Sequence, residues 1–277
     1  MLIIYILIFF ILLFLILFIL ILPIYIMDLK YVVYKFNYYL NNYIPLYIDN
    51  NKLPTINIKE KKNKILIISF DNRPETGYLR IHNENVKNYC DKWGYEYIYV
   101  NKSKHNIYWA RMYLIIDALK KKNYDYVMWM DTDTIFVDQD ISLDSILNKY
   151  SSDIYIGYDD PNVSLSPVLC NGVFIVKNSP IGLEIIHESI DSYEKNLEIC
   201  TYYVNDKIQL KGIWAGLCFE QGKLNDLFLT KYKQNFTILD TNIISNTSSC
   251  IHDTFILHFY GKKDGIVKCF EDVLQGN

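Results

Sequence analysis

Neither sign of charge prevails in this chain. Lys and Arg number 28 against 31 Asp and Glu, for a formal net charge of −3. With a pI near 6.0, no basic surplus points to nucleic acid as the main ligand. Glycine (11) and proline (7) are scarce among 277 residues, which excludes a collagen-like or low-complexity chain. Charged residues make up 21% against 51% hydrophobic, so the chain can bury a core and is not disordered. The six cysteines, Cys90, Cys170, Cys200, Cys218, Cys250 and Cys269, are too sparse for a small disulfide scaffold. They show no C-x-x-C spacing, which disfavours a zinc site and permits, without requiring, disulfides in an oxidising lumen. No internal repeat is visible. A surplus of Ile, Asn, Lys and Tyr points to an AT-rich genome, whether of a protist, a fungus or a large DNA virus.

Charge is missing altogether from Met1 to Met27, where Leu, Ile and Phe dominate; Asp28 and Lys30 are the first acid and base. Roughly 26 apolar residues at about 1.5 Å each span about 39 Å, enough to cross a hydrocarbon core of about 30 Å with some tilt. The run is too long for a signal peptide, starts with no base and has no small-residue cleavage site. A single transmembrane anchor over residues 1–27 is therefore expected. Residues 28–62, polar and aromatic with Pro45, Pro54 and a basic cluster at Lys59–Lys64, read as a stem. For orientation, Lys30 and Lys35 favour a cytoplasmic flank by the positive-inside count. Four N-x-[ST] triplets, at Asn101, Asn162, Asn235 and Asn246, favour a lumenal domain.

From residue 63 to 277, apolar runs alternate with helical patterns. Lys64–Phe70, Tyr95–Val100 and Tyr126–Met130 read as strands; Gly77–Trp93, ended by Gly94, and Tyr108–Lys122 read as amphipathic helices. Ile154–Tyr158, Gly172–Val176 and Phe255–His258 are further strand candidates, with a helix over Gly182–Glu198. Strands separated by helices of this length predict βαβ units: an α/β domain with a mixed, mainly parallel sheet flanked by helices.

Asp131-Thr132-Asp133 follows the third strand directly. In extended backbone the side-chain period is two, so the two acids would project to one side and Thr132 to the other. Paired carboxylates need a cation beside them, and a divalent metal bound to a polyphosphate is a natural solution. Ligands of open α/β sheets also bind beyond the carboxyl ends of the strands, where this pair lies.

The segment Tyr124–Asp138 resembles the D-x-D region of glycosyltransferases with the GT-A fold, and more narrowly family 34, the galactosyl-, mannosyl- and xylosyltransferases of the secretory pathway. Four further segments agree in order: Trp109-Ala110-Arg111, Asn171–Asn178, Glu220-Gln221 and His258–Lys263. The resemblance covers roughly residues 64–263. It implies a retaining transferase that moves a hexose or pentose from a UDP- or GDP-sugar to a glycan or glycoconjugate acceptor. It also implies a type II membrane protein with a lumenal, Golgi-like catalytic domain.

Carried over onto this sequence, Asp131, Asp133 and His258 would hold Mn²⁺ (or Mg²⁺) against the donor diphosphate, His258 as neutral imidazole. Lys263 or Lys262, beside Gly261, would neutralise the departing β-phosphate. Arg111 would contact the diphosphate or the base. Ser69 and Asp71 are placed toward the nucleoside by fold analogy alone. Asn171-Gly172 would line the sugar pocket, where glycine lets backbone approach closely; the family's commoner spacing sets Asn one residue further from Gly. Glu220 and Gln221 would face the donor sugar and reaction centre. Glu220 is open to three roles: nucleophile, stabiliser of an oxocarbenium-like centre, or sugar ligand.

Two other classes remain open at this stage. Haloacid-dehalogenase-type phosphohydrolases also follow an apolar strand with D-x-D, and Asp159-Asp160 could serve as a downstream acid pair. Against that, Ile135 stands where such enzymes want Thr or Val, and a strand–helix–strand–helix stretch precedes the motif. The other alternative is an anchored binding protein that keeps the fold without the chemistry.

Overall fold

The computed structural model describes residues 62–74, 76–121, 123–159, 169–204, 207–212, 216–260 and 265–276. The span expected at 1–27, and the stem up to residue 61, lie outside them. Among the described residues no helix is long and apolar enough to cross a membrane.

The main sheet has six strands: β1 (Ile65–Phe70), β2 (Glu96–Val100), β3 (Tyr126–Met130), β5 (Ile154–Tyr158), β6 (Leu169–Lys177) and β9 (Phe236–Leu239). Their order is β2-β1-β3-β6-β5-β9. Pairing is parallel between β1 and β2, β1 and β3, and β5 and β9, while β6 runs antiparallel to both neighbours. The sheet is thus mixed and mostly parallel. A smaller sheet, ordered β10-β11-β4, is built from β4 (Thr134–Phe136), β10 (Ile244–Thr247) and β11 (Ile256–Phe259).

The strand period of two sorts the core into two layers. Leu66, Ile68, Val127 and Trp129 face the helices α2 (Ala110–Lys120) and α3 (Pro180–Lys195). Ile65, Ile67, Met128 and Met130 face the opposite side, with Val86 and Tyr89 of α1 (Gly77–Trp93) and with Phe136 and Ile256. Both faces of β1 and β3 are covered, which is why these strands read as continuous apolar runs rather than alternating ones. A third cluster packs α1 and the C-terminal helix Ile266–Gln275 against Ile135 and Leu257 of the small sheet.

Several boundaries agree with the sequence reading to the residue: α1, β3 and β5. The helix expected from Tyr108 begins at Ala110, and that expected over 182–198 runs over 180–195. Its start is set by Ser179, whose hydroxyl accepts from the Gly182 amide at 3.0 Å, with Pro180 in the first turn. The strand expected from Gly172 starts three residues earlier, at Leu169.

Two disulfides join Cys200 to Cys218 and Cys250 to Cys269; Cys90 and Cys170 are free and buried. The first ties the foot of a β-ribbon, β7 (Thr201–Val204) with β8 (Lys207–Leu210), to the segment entering the helix α4 (Glu220–Leu227).

Candidate active site

The main sheet ends in a turn where the small sheet begins. β3 stops at Met130 and β4 starts at Thr134, so Asp131–Asp133 form a turn rather than the extended backbone expected from the sequence. The two acids still converge, because the turn is held on every side. The Asp131 amide donates to Gly172 O at 2.8 Å, and the Phe259 amide donates to Asp133 O at 2.9 Å. Thr132 points away from the acids and donates to Asp71 Oδ2 at 2.7 Å. Thr134 Oγ1 donates back to Asp131 O at 2.6 Å.

β11 pairs antiparallel with β4, setting His258 opposite Thr134. That register brings His258 Nε2 to 3.5 Å from Asp133 Oδ1. One ligand atom from each of Asp131, Asp133 and His258 lies within 4.8 Å of the others. Two hard carboxylates and an imidazole suit Mn²⁺ or Mg²⁺ as a donor set. The remaining charge balance is supplied by protein: Trp129 Nε1 donates to Asp131 Oδ1 at 2.7 Å, and Arg111 lies 3.2 Å from the same oxygen.

These groups form one end of a cavity of about 460 Å³, within the usual range for a small-molecule site. Arg111, Asn171, Glu220 and Gln221 also line it, together with the aromatic Tyr108 and Phe219. Arg111 Nη1 donates to both Asn171 O (2.7 Å) and Asn171 Oδ1 (3.0 Å), and its Nε stands 3.4 Å from Glu220 Oε1. Asn171 Nδ2 donates to Glu220 Oε1 at 3.2 Å, and Gln221 Oε1 accepts the Asn171 amide at 3.3 Å. Glu220 Oε2 and Gln221 Nε2 are buried without a hydrogen-bond partner. A buried acceptor and a buried donor side by side in a cavity wall suit a ligand bearing hydroxyl groups.

Electrostatics separate the two acids. Burial raises the pKa of Asp131, with Arg111 opposing and Asp133 adding to the rise. Asp133 is lowered despite burial, because His258 hydrogen-bonds and charge-pairs with it. His258 is raised well above its ordinary value: burial opposes this, but neighbouring Cys170 and Asp133 outweigh it. Burial likewise raises Glu220, partly offset by Arg111.

The site residues expected from sequence fall into three groups. Asp131, Asp133, Arg111, Asn171, Gly172, Glu220, Gln221 and His258 all line the cavity. Ser69 and Asp71 do not. Ser69 is fully buried, with its hydroxyl 2.9 Å from His82 Nε2, and Asp71 is occupied by Arg73 and Thr132, so both support the acid turn from behind. Gly261, Lys262 and Lys263 lie outside the described residues.

Gly172 has a different reason from the one expected. A Cβ there would sit 2.1 Å from His258 Cε1, so glycine makes room for the imidazole. Glu220 and Gln221 open a helix, and both are buried there, Glu220 being 3% exposed. Sequence reasoning missed Trp129, whose position two before Asp131 was the available signal, and also Tyr108 and Cys170. Of the N-x-[ST] acceptors, Asn101 is exposed, Asn246 is buried, and Asn162 lies outside the described residues.

Residues 59–156 match the model of the galactosyl transferase GMA12/MNN10 family. No curated protein is significantly similar to the chain. Among solved structures, a glycosyltransferase involved in glycosylation of the major capsid of PBCV-1 superposes with a TM-score of 0.59 at 17% identity, over 76% of this chain and 99% of that one. More distant are GlyE of Streptococcus pneumoniae (TM-score 0.45, 13% identity, 78% and 63% covered) and mouse xyloside xylosyltransferase 1 (0.43, 9%, 73% and 98%). The first likeness establishes a glycosyltransferase-like mixed α/β fold. The family match across the acid turn defines the class: the chain is a glycosyltransferase. More narrowly, it resembles family 34, and the phosphohydrolase alternative falls away.

Proposed function

We propose that this chain is a metal-dependent, retaining GT-A enzyme that transfers a hexose or pentose from a nucleotide-diphosphate sugar to a glycan or glycoconjugate acceptor. The observation that carries this reading is the convergence of Asp131, Asp133 and His258 in a cavity also lined by Glu220 and Gln221, each with a buried, unpartnered polar atom.

A divalent cation bound by Asp131, Asp133 and His258 would supply positive charge for the donor diphosphate. Arg111 holds Asn171 and Glu220 in register and balances the charge of Asp131, so the sugar-facing wall is preorganised. Glu220 and Gln221 would orient the sugar through their unpartnered acceptor and donor, and Glu220 would steady positive charge developing at the anomeric carbon. In the transfer, the bond from that carbon to the phosphate oxygen breaks and the bond to the acceptor oxygen forms. The acceptor proton passes to the leaving phosphate. Lys262 or Lys263 would sit beside that phosphate.

The uncharged run at 1–27 would anchor the protein, and two disulfides support an oxidising, lumenal setting for the domain in a type II arrangement. With Asn246 buried, the acceptor triplets support that orientation less than their number suggested. The test is nucleoside diphosphate release from a panel of UDP- and GDP-sugars, with Mn²⁺ and with chelator, for the parent and Asp133→Ala. Release from one donor that needs Mn²⁺ and disappears in Asp133→Ala is the expected result. A folded parent that binds neither Mn²⁺ nor any nucleotide would overturn the reading in favour of an anchored binder.

A further inference from the structure

Behind His258, on the side away from the cavity, stands a residue with no part in the function so far: Asn246. β10 pairs in parallel with β11, and the register sets Asn246 directly beside His258. Its amide orientation is determined by its surroundings. The group facing Tyr158 O at 2.7 Å meets a carbonyl, which can only accept, so it must be the NH₂. The amide oxygen therefore faces His258 Nδ1, at 2.8 Å. An amide oxygen can only accept, so Nδ1 is the nitrogen that carries the hydrogen. Cys170 Sγ, 3.5 Å from the same nitrogen, is too weak an acceptor to compete.

The backbone is shaped for this contact. A Cβ on Gly157, at an irregularity in the β5–β6 pairing, would come within 2.9 Å of Asn246 Nδ2. A Cβ on Gly172 would meet the His258 ring itself. Two glycines on neighbouring strands thus leave space for one Asn–His pair, and Asn246 is only 5% exposed.

We infer that Asn246 is a positioning residue for the cation site: by accepting the Nδ1 hydrogen it holds the imidazole with Nε2 on the side of Asp133, where it would ligate a divalent cation. This rests on the metal-dependent reading above. Hydrogen-bond partners of a ligating imidazole typically contribute about 10–100-fold to metal affinity. A corollary is that Asn246, with its NH₂ committed to Tyr158, is not a glycan acceptor in the folded chain.

The test is Mn²⁺ binding to the full chain in detergent, followed by the electron paramagnetic resonance signal of free Mn²⁺. The variants are Asn246→Leu, Asn246→Asp and His258→Ala. Asn246→Leu is expected to bind about 10–100-fold more weakly than the parent. Asn246→Asp, which keeps an acceptor in place, is expected to restore most of that loss. Parent-like affinity in Asn246→Leu, with His258→Ala impaired, would overturn the role of Asn246 and leave the metal site standing. Parent-like affinity in His258→Ala would overturn the metal reading itself. Should Asn246→Leu fail to fold, nitrogen-15 histidine spectra of the parent with diamagnetic Cd²⁺ decide the matter. A hydrogen on His258 Nδ1 supports the inference, and a bare Nδ1 refutes it.

Discussion

His82 offers a direct check on how the acid turn is supported. It is fully buried, with Nδ1 2.6 Å from Thr134 O and Nε2 2.9 Å from the Ser69 hydroxyl. The arrangement suits a neutral ring: Nδ1 donates to the carbonyl and Nε2 accepts from the hydroxyl. Burial lowers its pKa from 6.5 to about 4, with the Thr134 hydrogen bond and the nearby acids only partly opposing. Below pH 6.5 the unfolded chain therefore takes up a proton that the folded chain refuses. The contribution of His82 to stability is complete above pH 6.5, falls as pH drops toward 4, and is flat below. Linkage gives a loss of about 2 kcal/mol by pH 5 and about 3 kcal/mol by pH 4.

Other groups titrate in the same interval, so the comparison must be between the parent and His82→Gln, which keeps a donor and an acceptor but has no charge to gain. Urea unfolding of both proteins at intervals from pH 7.5 to 4.5 would measure it. The parent is expected to lose about 2 kcal/mol more than the variant by pH 5. Parallel curves would refute the reasoning, because they would mean that His82 titrates alike in both states.

Gly172→Ala would place a Cβ 2.1 Å from the His258 ring, well inside ordinary contact; displacement of the ring by about 1 Å is expected to cost about 100-fold in transfer rate, and steady-state kinetics would measure it. Arg111→Met leaves Asp131 and Glu220 without their cation and should destabilise the domain by about 3 kcal/mol. Adding Glu220→Gln should recover part of that loss, and strictly additive unfolding energies would argue against the pairing. Replacing Cys200 and Cys218 by serine opens a loop of 18-residue separation, with an expected loss of about 3 kcal/mol. Phe219–Gln221 follow Cys218 immediately, so donor-sugar KM should rise in that variant at temperatures where the fold persists.

The sequence alone determined the features carried by short-range pattern. The limits of α1, β3 and β5 follow from apolar periodicity and turn residues, which are local properties. The acid pair was legible from its place after an apolar strand, whereas Arg111, Asn171, Glu220, Gln221 and His258 were reached through the resemblance to family 34. Only the tertiary structure decided how they meet. The antiparallel position of β6, the turn at Asp131–Asp133 and the β4–β11 register that joins Asp133 to His258 all depend on pairings between distant segments. Ser69 and Asp71 were placed at a strand end by fold analogy alone, and only packing shows that their side chains meet His82 and Thr132. Gly172 and Asn246 take their meaning wholly from the ring lodged between them, and a residue's own neighbours in sequence carry no record of what another strand will press against it.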